Sequence, residues 1–310
     1  MAVPSEPLLG AAIAEVAVEP ELEVEQAPRH RATLWRDAVR RLLRNKLAIC
    51  GLIGVGVLVL VAIFADKLSP YDYDFQNFVH INEAPSWDFP LGTDLVGRDM
   101  LSRMIYGARV SITVAVLAQL VILAIGVPIG AIAGYWGGWV DLVVMRVVDV
   151  FYAIPNLLLA ILIMSVLGRG IENLFFALII TSWLTITRIT RAQMLSLRDK
   201  EYVKAARVAG ASPLWIIVRH MLPNALTPIV VTVTFGIPQL IFAEAALSFI
   251  GIGVNPPMPS WGQMVGEHQQ YLRSSWWLAV FPSAAIAATM LSFTFLGDGI
   301  RDALDPRMNE

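Results

Sequence analysis

The sequence predicts an all-α membrane protein with six transmembrane helices, and three observations carry that prediction. Hydrophobic residues make up 56% of the chain and charged residues only 15%, against about 25% charged in an ordinary soluble domain. The apolar residues gather in long uncharged runs, without the alternating polarity a β-barrel would show. Lys and Arg concentrate at the ends of alternate runs, as the positive-inside rule requires of a multi-pass protein.

The runs are read in chain order. Leu47–Ala65 holds no charge, Val110–Val140 supplies 31 uncharged residues, Val150–Gly168 supplies 19 and Asn173–Thr187 supplies 15. His220–Ala243 has no carboxylate, Lys or Arg, and Ser274–Gly297 adds 24 more uncharged residues. A helix rises about 1.5 Å per residue, so roughly 20 apolar residues cross about 30 Å of hydrocarbon. Backbone groups in lipid must pair within their own segment, so each run is expected to be helical. The expected spans are about 47–66, 109–135, 141–167, 174–195, 223–249 and 276–299. The fourth is the weakest, because Arg188 and Arg191 sit near its end. Pro155 and Pro238 fall inside spans and are candidate kinks.

With a cytoplasmic N-terminus, 17 Lys and Arg residues lie inside and 6 outside. That asymmetry puts both termini in the cytoplasm and the 67–108 and 250–275 loops outside. Residues 1–28 carry six glutamates and no Lys or Arg, which reads as a disordered acidic cytoplasmic tail rather than a signal peptide. Residues 29–46 form a basic amphipathic segment ahead of the first span. The rest, 47–310, is a transmembrane domain with a cytoplasmic loop at 196–222.

That loop is the most informative segment. Glu201 to Pro223 reads as two short helices. Lys204, Ala205, Ala206 and Ala209 belong to the first, and Gly210 supplies a left-handed stop. Ala211 leads to Ser212 as N-cap and Pro213 at the first position of the second helix. Leu222 follows, and Pro223 is expected to break the chain where the next span begins. The product is a helix–turn–helix elbow on the basic face. Taken from the residues, it either docks into a groove of another protein or anchors the loop at the interface.

The spacing Lys204-Ala205-Ala206, Gly210, His220-x-Leu222-Pro223 resembles the EAA loop of ATP-binding-cassette importer permeases. Lys204 stands where that pattern has Glu, and His220 where it usually has Ile. Leu91–Asp94, Gly97–Asp99, Ser102-Arg103, Gly107–Arg109, Glu244–Phe249, Gly251–Gly253 and Pro256–Gly262 are similar to segments of the oligopeptide/dipeptide/nickel group, most of all its C-type permeases. The resemblance runs from about residue 36 to 307. It implies a type I ABC importer permease fold in the plasma membrane of a prokaryote. It also implies that the elbow, with Glu201, Lys204, Ala205, Ala206, Gly210, Ala211, Ser212, Pro213, Leu222 and Pro223, couples to a separate ATPase. The implied partners are a second homologous permease, two ATPase subunits that hold ATP and Mg, and an extracellular or periplasmic peptide-binding protein. The implied cargo is di- or oligopeptide. A nickel chelate, glutathione or another small solute in the same machine stays open, as does an ion-driven secondary transporter.

Other positions have two readings each. Asp94–Arg98 and Asp99–Arg103 have i,i+4 spacing, so residues 93–103 are expected to form a short external helix that is either a solvated lid or a contact for cargo or receptor. Gly126, Gly130 and Gly134 lie four apart, as small residues do where helices approach closely in lipid. Arg146 and Asp149 can pair one turn apart, either for packing or along a pathway. Glu244 is expected near the outer end of the fifth span, meeting a peptide amine or pairing with an Arg such as Arg109. Pro256, Pro257, Pro259 and Trp261 form either a stiff docking surface for a binding protein or an ordinary tight loop. Trp276 and Trp277 fit an interfacial aromatic belt.

Several chemistries are excluded or unsupported. One cysteine, Cys50, precludes an internal disulfide. No Lys follows a Gly, so there is no phosphate-binding loop of the GxxxxGK type. His30, His80, His220 and His268 have no metal-ligand spacing. No catalytic or metal-ligating set emerges, and a net charge of −2 argues against nucleic acid as a partner. The sequence reads as a conduit that binds no cofactor of its own.

Overall fold

The computed structural model describes residues 38–304. The expected acidic tail and the first part of the basic segment lie outside the described residues. Among the described residues there is no β-strand, only an isolated bridge between Thr93 and Asp99.

The main helices are α1 (Lys46–Ile63), α2 (Met100–Trp136), α3 (Gly138–Tyr152), α4 (Asn156–Leu167), α5 (Ile171–Leu197), α6 (Glu201–Val208), α7 (Pro213–Phe249), α8 (Trp261–His268) and α9 (Trp277–Leu304). Five of them, α1, α2, α5, α7 and α9, are each long and apolar enough to cross a membrane, and α3 with α4 makes the sixth candidate span. One end of the bundle carries the α2–α3 turn and α6, and is called here the elbow end. The other, the loop end, carries residues 64–99, 168–170 and 250–276.

The third span is not one helix. α3 and α4 are bent by 81° across Ala153–Pro155. Pro155 has φ −55° and ψ 129° and donates no N–H, so the ladder cannot pass it. Pro238 behaves differently, because α7 runs through it unbroken. Nor does Pro223 stop the chain. Residues Ile217–Met221 form a π-helical turn immediately before it, and the side chain of Asn224 donates to the His220 carbonyl (2.5 Å). The widened turn absorbs the missing proline N–H, so α7 continues for 37 residues.

α2 starts nine residues earlier than the expected span. Asp99 caps it, accepting from the Ser102 backbone N–H (2.7 Å) and hydroxyl (2.6 Å). This displaces the expected 93–103 helix. Asp99 is used as a cap, so Arg103 turns instead to Asp94 and Glu267. Residues 64–99 are an irregular strap. Thr93 ties it together, accepting from Glu83 N–H and donating to the His80 carbonyl.

The principal core lies between α2, α4, α5 and α7. The glycine row of α2 faces α5 of this same chain: an added Cβ at Gly134 would lie 2.6 Å from the Arg191 carbonyl oxygen. A second core at the loop end joins α1, α2, α8 and α9 through Met100, Ile112, Trp261, Met264, Trp277 and Leu278. Trp277 is buried there and reaches the Thr93 carbonyl, so only Trp276 is placed as a belt residue should be.

His268, also at the loop end, is buried and its Nδ1–H donates to the Met264 carbonyl (2.7 Å). Burial holds its pKa below the ordinary histidine value, and the charge of Arg103 acts the same way. The Met264 bond and the carboxylates of Glu267 and Asp94 oppose that shift. The native state therefore prefers neutral His268. Its stabilising contribution is complete above the unfolded pKa of about 6.5 and is lost as pH falls from there through the folded value.

Two outcomes are expected. Gly134→Ala should destabilise the protein in detergent by about 1–3 kcal/mol through overpacking on α5. Gly56→Ala, which meets nothing within 4 Å, should be neutral or slightly stabilising; thermal unfolding of the two variants compares them. Acidification from about pH 7.5 to about pH 5 should lower the melting temperature of the wild type more than that of His268→Gln. Parallel slopes would show that His268 is not the group responsible.

Candidate functional site

The elbow is built by local backbone chemistry. α6 ends in a paired stop in which the Ala211 N–H donates to Ala206 O and the Gly210 N–H to Arg207 O, both at 3.0 Å. Gly210 sits at φ +81°, a conformation a Cβ would strain. Ser212 then caps α7, accepting from Trp215 N–H (3.4 Å), and Pro213 takes the first helical position. Buried Val203 and Ile216 fix the elbow to the core, and the Arg207 guanidinium lies over the Tyr135 ring at 4.9 Å, tying α6 to the end of α2.

The elbow presents an apolar cluster outward, set among exposed charged residues. Val208 is 90% exposed and Leu214 70%, with Trp215 and Val218 about half exposed. Glu201, Lys204 and Ala205 are exposed on α6, as are Gly210, Ser212 and Pro213 at the turn, whereas Ala206 and Ala211 are half-buried. Leu222 and Pro223 do not belong to this surface. They lie half-buried within α7. The four exposed apolar residues were not singled out from the sequence. Their signal was present, because they stand in a stretch otherwise rich in Lys and Arg.

A second polar zone runs along α3 and α5. Asp141 accepts from Arg191 through both of its oxygens. Asp149 accepts from Arg188 at 2.5 Å, and the Arg188 guanidinium lies 3.9 Å from the Tyr152 ring centroid. The expected Arg146–Asp149 pair does not form, because antiparallel packing puts Arg188 opposite Asp149 and Tyr152 offers it a ring to stack on. The two arginines that weakened the fourth span are thus each matched by a carboxylate on α3. Tyr152 Oη and Thr185 Oγ1 share a hydrogen bond of 2.9 Å.

Beside this zone α2, α4, α5, α7 and the end of α9 line a cavity of about 490 Å³ whose polar lining includes Gln119, Asn156, Thr181, Ser182, Thr185, Gln239 and the charged Arg301.

At the loop end, Glu244 is fully buried and accepts from the hydroxyls of Ser111 and Ser248, each at 2.9 Å. Arg109 is not its partner. That guanidinium binds Asp66 with two nitrogens (both 2.9 Å) and also reaches the Ala62 and Ile63 carbonyls. The bond from Arg109 holds the exposed Asp66 carboxyl below the usual range. Above it, Arg98 (2.6 Å) and Arg103 (3.3 Å) converge on the fully buried Asp94, and Arg103 continues to Glu267. Of the expected docking residues, Pro256 and Pro257 are exposed, while Pro259 and Trp261 are buried. Trp261 donates to the Met104 carbonyl (3.0 Å) and serves the core.

Residues 126–310 match the family of binding-protein-dependent transport system inner membrane components, and residues 33–85 match the N-terminal transmembrane domain of oligopeptide transport permease C. The oligopeptide transport system permease protein OppC of Bacillus subtilis is 41% identical over 288 residues, covering 93% of this chain and 94% of that protein. The dipeptide permease DppC of Alkalihalophilus pseudofirmus is 41% identical over 88% of this chain and 90% of its own length. The glutathione permease GsiD of Pectobacterium atrosepticum is 40% identical over 89% of this chain and 92% of its own length. Among solved structures, an inward-facing form of the MetNI methionine ABC transporter superposes with a TM-score of 0.54 at 20% identity, over 66% of this chain and 98% of that one. A bundle of this topology, matched along nearly its whole length by such relatives, belongs to the inner-membrane permease components of binding-protein-dependent transport systems.

Proposed function

We propose that this chain is the permease subunit of an ATP-driven importer that carries di- and oligopeptides across the plasma membrane. The relatives named for oligopeptide, dipeptide and glutathione transport support a peptide cargo. The single observation that carries the coupling role is the elbow: a rigid, outward-facing apolar knuckle continuous with a 37-residue helix that crosses the bundle. An exposed cluster of this kind on an otherwise basic surface is the signature of a protein contact.

The partners are a second homologous permease, two ATPase subunits and an external solute-binding protein. ATP and Mg sit on the ATPases. The excess of Lys and Arg at the elbow end supports a cytoplasmic position for that end and for both termini. Closure of the ATPases pushes the elbow, and α7 carries the push toward Glu244 and the loop end. The ATPase contact must differ between two packed states of the bundle, since a contact of equal strength in both would shift nothing.

The same machine carrying glutathione, itself a small peptide, is the second reading, favoured by the glutathione permeases among the relatives. An ion-driven carrier is the weaker alternative. The broken α3–α4 span has the outline such carriers use, but Asp149 within it faces an arginine rather than a second carboxylate.

Gly210→Val and Leu214→Glu should each reduce co-purification of the ATPase and cut peptide uptake by at least tenfold in the reconstituted importer. Leu52→Ala, on the exposed face of α1, should leave both unchanged. Normal assembly and uptake in the two elbow variants would remove the coupling assignment.

A further inference from the structure

We infer that Asp149 and Arg188, with the polar cavity beside them, form an exchange site for the charged ends of the peptide in transit. The inference rests on the peptide reading above. Asp149 lies 11 residues along α3 from Gly138, roughly 16 Å, and Arg188 lies nine residues from the end of α5, roughly 14 Å. Both positions fall within candidate spans, Asp149 in α3 of the broken pair and Arg188 toward the elbow end of α5. At that depth the pair is nevertheless open, with the Asp149 side chain 52% and the Arg188 side chain 42% exposed in this chain. Charges within a membrane span do not face lipid; they face a water-filled path or a partner.

The neighbouring pair separates the two roles. Asp141 and Arg191 are more covered, at 16% and 30%, and engage through both carboxylate oxygens. That geometry is a latch between α3 and α5. Asp149 and Arg188 meet through one oxygen and one nitrogen. A second latch so close by adds little, and its openness serves no packing purpose.

Every free peptide carries an ammonium at one end and a carboxylate at the other, whatever its side chains. The ammonium can take over Asp149 and the carboxylate can take over Arg188, so one ion pair becomes two and no charge is left unpaired at depth. No covalent bond changes. Tyr152 holds the guanidinium by its ring face throughout, a contact that does not consume N–H donors in the plane. The pair joins the cavity through one hydrogen bond. Tyr152 is bonded to Thr185, Thr185 and Ser182 line the cavity wall, and Asn156 opens α4 just past the bend. Amide and hydroxyl groups there can receive peptide N–H and C=O groups without reading sequence. A volume of about 490 Å³ falls within the roughly 300–1,000 Å³ usual for small-molecule sites.

The test uses the complete permease–ATPase complex in nanodiscs, without its binding protein, and a radiolabelled dipeptide. Displacement is measured with the unlabelled dipeptide, its N-acetyl form and its C-terminal amide. In the wild type each capped form should need at least tenfold more to displace the label. Asp149→Asn should reduce the N-acetyl discrimination to under threefold while keeping that against the amide, and Arg188→Gln should do the reverse. Discrimination unchanged in both variants would overturn the assignment. So would equal loss of binding for all three forms, which is the mark of a latch, or absence of saturable binding in a complex that imports peptide. Uptake by the wild-type importer supplied with its binding protein is run in parallel. No peptide uptake there would remove the functional reading and this site with it, whereas normal uptake with unaltered discrimination removes the site alone.

Discussion

Inside hydrocarbon a polar group has no water to fall back on, and that shortage organises this molecule. An unpaired backbone group costs several kcal/mol there, so the chain is helical wherever the bilayer surrounds it, and a departure from a straight helix either finds a substitute partner or breaks the span. At Pro223 the substitute is a π-turn and the Asn224 amide. At Pro155 no substitute closes the gap, and the span breaks. Side chains obey the same rule. Glu244 takes two serine hydroxyls, and Arg191 takes both oxygens of Asp141.

The constraint also explains why the two ends of the bundle differ. At the loop end, the buried Asp94 with Arg98, Arg103 and Glu267, together with Trp261 and Trp277, locks an irregular strap onto α2, α8 and α9. Irregular backbone is tolerable there because it is tied to itself and to the core. At the elbow end the backbone is regular but the surface is unfinished. Val208, Leu214, Trp215 and Val218 lie uncovered beside the exposed Lys204 and Arg207.

The spans were legible because charge is so strongly excluded from lipid that its absence alone marks them. The elbow was legible because Gly210, Ser212 and Pro213 each have a local backbone reason to stand where they do. Pairings between distant segments were not. Arg146 is three residues from Asp149 and Arg188 is 39, yet the partner is chosen by which helix packs alongside. The Asp99 cap shows the same limit at short range: of the two expected i,i+4 pairs Asp94–Arg98 forms, whereas Asp99 is taken by the capping of α2 and leaves Arg103 to other partners. The burial of Trp261 and Pro259 was hidden because a proline-rich loop looks alike whether it faces outward or folds under a neighbouring helix.

The unbroken course of α7 carries one more implication. Its first turn belongs to the elbow and its last lies against α8, so the two ends are phase-locked through a single helical screw. Inserting or deleting one residue anywhere between would swing one end relative to the other by about 100°, carrying Leu214 and Trp215 out of alignment with Glu244 and Ser248. The length of this rod is therefore far less open to change than its exposed side chains.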